Sequence, residues 1–394
     1  MADSPAPVPV LFVLTDLRVG GMERKVVEIV QKIDRRRIRP VVACLKEAGA
    51  LAPEVEAAGV PLYSRLIRGR TDFLVLWRLR RVIRREGIRV VCTVGDGGDR
   101  MFWGRLAARL CRLPGIVSTL HSTRNPGGGS ILDRPNRWLF GLTDAFVAVA
   151  AGAARYLVEE EGFPPEKVVV IYNGVDLDRY TGAGREAARA ALGLPADAPV
   201  VAHVAAFRPE KAHDVLLRAA ARVVARLPAA RFLLIGDGPE RPRIEALRSE
   251  LGLEEAVRLL GRRSDIPELL AAADLAVLCS HPMVETFPNS VLEAMASRRP
   301  VVSTRVGSVD EQIEDGVEGF LVPPGDPEAL ADRILRVLEN PGLARRMGEA
   351  AREKVEKHFS AARMVGDREE LFLALAAGRG VPARLYWQNP PRKA

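Results

Sequence analysis

The sequence predicts an α/β protein of two doubly wound, Rossmann-like domains, and three observations carry that prediction. Short apolar runs alternate with helix-patterned segments almost from end to end, as parallel sheets covered on both faces require. The 394 residues exceed what one ordinary core holds and suit two domains of common size. The alternation pauses once, over the Ala- and Gly-rich residues 181–199 with their two prolines, as a connecting segment would.

In the first half the pattern predicts strands over 8–14, 39–45, 89–94, 115–120, 144–149 and 167–172. Helices are expected over 22–33, 73–86, 100–111 and 151–161. Within 22–33, Val26, Val27, Ile29, Val30 and Ile33 crowd one side, as a helix packed on a sheet requires. The second half repeats the scheme, with strands over 199–205, 231–235, 256–260, 275–279, 300–303 and 319–322. Its helices fall over 212–226, 240–251, 267–272 and 289–297. The domains therefore run over 1–180 and 199–360, joined by a linker at 181–198. From about residue 326 the chain is helical, and the last helix, 361–377, needs a surface to dock on. The tail GRGVPARLYWQNPPRKA is expected to be poorly ordered. Ligands bind at the carboxyl ends of strands in such sheets, so both domains are expected to face a shared cleft with their loops.

Apolar residues make up 48% and charged residues 27% of the chain, as in ordinary globular proteins. No apolar run reaches bilayer-spanning length. The opening MADSPAPVPVLFVLTD lacks the basic start and cleavage site of a secretory signal. Cys44, Cys92, Cys111 and Cys279 lie far apart and three of them end apolar runs, so free buried thiols in a reducing cytoplasm are expected. The net charge of +8 is concentrated, because residues 65–89 carry nine arginines against Asp72 and Glu86. A negatively charged partner is expected there.

Three strings carry chemistry. LRVGGMER follows the first strand and opens a helix; Gly20 and Gly21 let the backbone approach a phosphate or sugar, and the helix start favours negative charge. Alone, the string reads equally well as a tight turn. In HVAAFRPEKAHDVLL, Arg208 and Lys211 sit on a loop where two cations could meet a diphosphate, although a solvated loop also explains them. The third string, HPMVETFPNSVLEAMASRRPVVST, is sharper. Glu285 and Glu293 have seven residues between them, and Phe287-Pro288 ends an extended stretch before a helix opens near Asn289. The N–H groups of that start suit a phosphate. Glu293, flanked by Val291, Leu292, Ala294 and Met295, suits ribose hydroxyls, and Glu285 a sugar ring.

Apart from its two tails, the chain resembles the family 4 retaining glycosyltransferases of the GT-B fold. Eight strings in family order carry the resemblance: VGGMERKVVEIV, STLHS, VVVIYNGVDLDRY, FRPEKAHDVLL, RFLLIGDGPERPRIEAL, VRLLGRRSDIPELLAAADLAVL, ETFPNSVLEAMASRRPVVST and GFLVPPGDPEALADRI. The resemblance implies transfer of a sugar from a UDP- or GDP-linked donor to an acceptor such as a lipid-linked glycan or cell-surface polysaccharide precursor. It makes 1–180 the acceptor domain, with 361–377 docked back on it, and 199–360 the nucleotide-sugar domain. Gly20 and Gly21 match the glycine loop at the donor diphosphate, and Lys211 the lysine on that diphosphate. Glu293 matches the glutamate on the ribose, and Glu285 the one beside the donor sugar. Asn289, Ser290 and Val291 match the helix start under the phosphates. Gly236, in IGDGP, counts among the nucleotide-sugar contacts, and Arg262 matches the loop whose backbone meets the base. His121, the only histidine of the first domain, matches a histidine near the donor sugar and leaving group. The implied catalytic set is Glu285, His121, Arg208 and Lys211.

Two positions depart from the family pattern. Ala206 stands where an arginine is usual, with Arg208 as its substitute, and Thr286 replaces a common glycine and narrows the sugar pocket. No carboxylate stands out as a covalent nucleophile. The family reacts on one face of the sugar, the leaving diphosphate helping to deprotonate the acceptor, so stabilising the developing charge falls to Arg208, Lys211, the glycine loop and the helix start. The D-x-D string Asp176-Leu177-Asp178 lies in the hinge signature YNGVDLDRY and reads as structural; no metal or other cofactor is expected. A sugar-nucleotide epimerase of the same fold and a non-catalytic nucleotide-sugar or polyanion-binding protein are the competing readings. In TDFLVLWRLRRVIRREG, Arg78, Arg80, Arg81, Arg84 and Arg85 spread over one side of a helix, which suits an anionic membrane surface on its cytoplasmic face. A helix with its apolar side on the sheet and solvated arginines accounts for the same string. No nucleic-acid-binding motif accompanies the charge.

Overall fold

Runs such as VPVLFVL and AFVA are apolar on both faces, which only a sheet covered on both sides tolerates. The computed structural model places them in such sheets; it describes residues 6–69, 72–95, 99–121, 138–282 and 285–387. The chain divides into two compact units, one made of Met1–Asn173 with Ala361–Ala394 and the other of Gly174–Ser360.

In the first unit the strands are β1 (Val8–Leu14), β2 (Ile38–Cys44), β3 (Leu62–Tyr63), β4 (Val90–Gly95), β5 (Gly115–Leu120), β6 (Ala145–Ala148) and β7 (Val168–Val170). They form one sheet of order β3-β2-β1-β4-β5-β6-β7, parallel at every pairing. The crossovers include α1 (Gly21–Lys32), α2 (Ala52–Ala57), α3 (Leu74–Arg85), α4 (Asp99–Leu110) and α5 (Ala151–Glu159). One face is sealed by Val26, Val30 and their neighbours on α1, the other by Leu79 and Ile83 of α3 with Trp103 and Ala107 of α4.

The second unit opens with α6 (Arg185–Ala191) and then alternates. Its strands are β8 (Val200–Val204), β9 (Arg231–Ile235), β10 (Val257–Gly261), β11 (Leu275–Leu278), β12 (Val301–Thr304) and β13 (Gly319–Val322). Its further helices are α7 (His213–Arg226), α8 (Arg241–Glu250), α9 (Ile266–Ala272), α10 (Asn289–Ala296), α11 (Val309–Gln312), α12 (Pro327–Leu338) and α13 (Pro341–His358). The sheet order is β10-β9-β8-β11-β12-β13, again parallel. In each sheet the order reverses once, beside β1 in the first and beside β8 in the second, and such switch points are where open α/β sheets hold ligands.

Three segments differ from the sequence expectation. Residues 181–198 are not a bare linker, because REAARAA forms α6 and packs on α9. Arg189 holds it there, donating to the carbonyls of Ala272, Ala196 and Ala198 at 3.0, 2.6 and 2.9 Å and to Asp274 at 2.8 Å. β3, α2 and α11 are too short to leave a periodic signal. The tail, expected to be poorly ordered, is placed as far as Trp387: Leu385 is buried and Tyr386 bridges Val169 of β7. Residues 388–394 lie outside the described residues.

The helix after the second unit, α14 (Ala361–Ala376), packs on α1, β1, β4 and β5 of the first. Phe372 meets Phe12 edge to face at 5.8 Å, and the Glu369 carboxylate accepts from the Asp34 N–H at 2.7 Å and pairs with Arg37 at 2.8 Å. The four cysteines are free thiols; Cys44, Cys92 and Cys279 are buried and Cys111 half-buried. Because Phe372 is fully enclosed, Phe372→Ala should cost about 3–5 kcal/mol, read as a lower urea midpoint. A loss below about 1 kcal/mol would show that α14 is not part of this core.

Candidate active site

In the second unit the chain leaves β8, makes the 3-10 turn Pro209–Lys211, and swings into α7 through Ala212, whose φ of +48° is left-handed. The end of β11 clasps that turn. The Cys279 thiol donates to the carbonyls of Lys211 and Ala212 at 3.2 and 3.4 Å, and the His281 N–H donates to the Glu210 carbonyl at 2.9 Å. Lys211, after β8, is thereby set beside Glu285, after β11, on the two sides of the switch point.

Lys211 Nζ lies 2.5 Å from Glu285 Oε1, and the Ser280 hydroxyl donates to the same oxygen at 2.7 Å. The Thr304 hydroxyl in turn donates to the Ser280 carbonyl at 2.8 Å. The Glu285 side chain is 8% exposed and that of Lys211 19%. Gly307 closes the far side; its φ is +55°, and a Cβ there would stand 2.0 Å from the Glu285 carbonyl oxygen. α10 starts just beyond, Pro288 at its N-cap making no side-chain hydrogen bond to the first turn, and Gln312 ties the Pro288 carbonyl at 3.0 Å. The backbone N–H groups of Asn289, Ser290 and Val291 form that start, a setting that favours negative charge. Val291 and Leu292 are buried and Glu293 half-buried one turn on.

The loops after β8, β9 and β10 abut one another. Gly236 has φ +151° and comes so near Ala205 that a Cβ would lie 1.9 Å from its carbonyl oxygen, while its N–H donates to the Gly261 carbonyl at 2.9 Å. Arg262 is exposed just after. Arg208 shares the Lys211 turn but stands apart from the Lys211–Glu285–Ser280 group: its side chain is 60% exposed, with Glu210 3.9 Å away.

In the first unit Gly20 caps α1 with extended backbone, and a Cβ on it would strike the Glu23 carboxylate at 2.3 Å. Gly20 and Gly21 follow β1, and His121 follows β5 directly. Below His121, the buried Arg368 of α14 donates to the Thr119 hydroxyl at 3.2 Å. Burial, with Arg368 and Lys25 nearby, pushes the His121 imidazole down to about 3. Ser122, which ends the STLHS string, lies outside the described residues. The Asp176 carboxylate accepts from the Asp178 N–H at 3.2 Å, as in a turn. Among the described residues, no group of three or more His, Cys, Asp or Glu is placed to hold a metal.

The arginine helix α3 splits its roles. Val75, Leu79, Val82 and Ile83 are buried, whereas Phe73, Leu74 and Trp77 are 72%, 64% and 60% exposed. Arg78 does not join the basic face: it pairs with Asp72 at 2.6 Å and donates to the Leu66 carbonyl at 2.7 Å. Arg81, Arg84 and Arg85 are exposed and Arg80 half-buried. Among the described residues, no helix is long and apolar enough to cross a membrane. Ser280, Thr304 and Gly307 had no sequence signal, since their contacts exist only once β11 and β12 pair.

The family model for Glycosyltransferase Family 4 matches residues 19–179, and that for Glycosyl transferases group 1 matches residues 184–354. An N-acetyl-alpha-D-glucosaminyl L-malate synthase from Bacillus anthracis is 33% identical over 65% of this chain and 67% of its own. A D-inositol 3-phosphate glycosyltransferase from Kribbella flavida is 31% identical over 86% of this chain and 87% of its own. The chain belongs to the family 4 glycosyltransferases. Alignments of this glycosyltransferase with some other D-inositol 3-phosphate glycosyltransferases span about half of their length. Its GT-B fold is shared with Anabaena Alr3699/HepE, solved in complex with UDP-glucose, at TM-score 0.78 and 25% identity over 91% of this chain and 97% of that one.

Two imidazoles sealed behind the Lys211 turn join His121 in tying stability to pH. His203 Nδ1 donates to the Val277 carbonyl at 2.8 Å, and His213 has no hydrogen-bond partner on either ring nitrogen among the described residues. Burial pushes them down to about 4 and about 2. The unfolded chain binds their protons from about pH 6.5 downward, so this stability is full above 6.5 and lost as pH falls below it. The urea midpoint should drop between pH 7 and 5, and drop less in His213→Phe; a flat profile in both would refute the assignment.

Proposed function

We propose that this glycosyltransferase takes a sugar from a UDP- or GDP-linked donor and transfers it with retention and without a metal. One observation carries the reading: Lys211 and Glu285 stand side by side at the β8–β11 switch point, just before the start of α10. Lys211 and the α10 N–H groups then receive the diphosphate, Glu293 the ribose and Glu285 the sugar hydroxyls. Gly236 and Arg262 mark the loops on the base side, and Arg208 reaches the diphosphate from its exposed position. In the first unit, we assign the carboxyl edge of the sheet, with Gly20, Gly21 and His121, to the acceptor side.

In this mechanism the bond from the anomeric carbon to the diphosphate oxygen breaks and the acceptor oxygen bonds to the same face. The acceptor's proton passes to the departing phosphate oxygen. The leaving group gains negative charge as it departs, and fixed positive groups lower that barrier without reorganising. Glu285 is engaged by Lys211 and Ser280, an arrangement that suits a sugar-hydroxyl acceptor better than a nucleophile. Incubation with labelled UDP- and GDP-sugars, with and without lipid extract, tests the reaction: transfer supports it, and epimerised donor or no turnover overturns it.

Glu293→Ala should weaken nucleotide binding about tenfold or more, the worth of a buried hydrogen bond to a charged group. Glu285→Gln should leave nucleotide binding nearly intact and cut turnover. Calorimetry and kinetics on both variants check the division, and equal binding losses would sink it. Turnover should survive EDTA in the same assay.

The acceptor, we infer, is a lipid-linked glycan or polysaccharide precursor met at an anionic membrane surface on the cytoplasmic side. Exposed Phe73, Leu74 and Trp77 adjoin the arginines of α3, a pairing of apolar and cationic groups that suits the headgroup boundary. Each cation near such a surface contributes about 1 kcal/mol. Flotation with vesicles of rising anionic content should show binding that falls with salt and with Arg81, Arg84 and Arg85 changed to Ser. Protein that stays soluble at low salt on strongly anionic vesicles would point to a soluble acceptor instead.

A further inference from the structure

We propose that Ser280 is the positioning residue for Glu285, its hydroxyl holding the carboxylate in place when Lys211 turns to the donor diphosphate; this rests on the reading that Glu285 faces the donor sugar. Glu285 Oε1 receives both Lys211 Nζ, at 2.5 Å, and the Ser280 hydroxyl, at 2.7 Å. The two donors differ in what they are free to do. Lys211 carries its charge on a four-carbon stem, keeps part of its side chain in solvent, and sits on a turn rather than in a strand. An arriving diphosphate offers it more negative charge than one carboxylate does.

Ser280 has no such freedom. It is fully buried at the end of β11, and its carbonyl is tied by the Thr304 hydroxyl at the end of β12. Its neighbour Cys279 is anchored to the Lys211 and Ala212 carbonyls. The serine hydroxyl turns about a single bond, so once its backbone is fixed, its reach is fixed with it. When Lys211 leaves Oε1, Ser280 is the donor that remains among the described residues, and a carboxylate so nearly enclosed keeps its orientation through that bond. Orientation is what a sugar-hydroxyl acceptor needs, because small displacements of a binding group cost turnover steeply.

The test uses the full chain, with UDP and GDP as binding probes and nucleoside diphosphate release as the measure of turnover. Ser280→Ala should lower kcat roughly tenfold to a hundredfold, as loss of a hydrogen bond to a charged group predicts. The Kd for the nucleoside diphosphate should stay within about threefold, since nothing on the diphosphate side has moved. Ser280→Thr, which keeps the hydroxyl, should restore most of the rate. In a Glu285→Ala background, Ser280→Ala should cost nothing further, the mark of a residue acting only through Glu285. Unchanged kcat in Ser280→Ala beside a slow Glu285→Ala overturns the proposal alone. So does a Kd loss as large as the kcat loss, or an undiminished effect in the Glu285→Ala background. Full turnover in Glu285→Ala removes the reading of Glu285, and this proposal with it.

Discussion

Parallel strands cannot be joined by a tight turn, so each connection crosses the sheet through a helix and starts from the same edge as its neighbours. The assembly of the candidate site depends on that constraint. In the second unit it gathers the loops after β8, β9, β10 and β11 at one edge, and the order reverses there between β8 and β11, the kind of place where open α/β sheets hold ligands. Lys211 and Glu285 come from the two sides of that reversal, 74 residues apart in sequence and in contact in the fold. The first unit obeys the same rule, bringing the Gly20–Gly21 turn after β1 and His121 after β5 to the carboxyl edge of its own sheet.

Charge at that edge is held in balance. A carboxylate as enclosed as Glu285 is costly unless paired and hydrogen-bonded, and Lys211 and Ser280 supply both. Behind the Lys211 turn, His203 and His213 are kept neutral by burial, so they add no second cation beneath the lysine. Close backbone approach does the rest of the shaping. Gly307 against Glu285 and Gly236 against Ala205 leave no room for a Cβ, which sets how near the loops stand to one another.

On α3 one short helix serves two environments. Its buried stripe of Val75, Leu79, Val82 and Ile83 anchors it to the sheet, which leaves its amino-terminal aromatics and its outer arginines facing solvent. Arg78 falls between these faces, and there the nearby Asp72 carboxylate and Leu66 carbonyl satisfy it. The basic surface is therefore narrower than the arginine count suggests.

The sequence by itself determined the strand–helix alternation, because periodicity records which faces are apolar, and the two-sheet architecture followed from it. It also marked Glu285 and Glu293 by their spacing around a helix start, while Lys211 and the glycine turn stood out only through the family resemblance. Elements of two to seven residues escaped it: β3 and α2 are shorter than a readable period, and α6 was hidden by linker-like composition. Arg78 looked like its basic neighbours until Asp72 folded against it. Ser280, Thr304 and Gly307 were silent for a deeper reason. A hydroxyl in an apolar run or a glycine after a strand acquires its role only from the strand beside it. Tertiary structure alone decided that Ser280 and Lys211 would share one oxygen of Glu285, because β8, β11 and β12 must pair before those groups can meet.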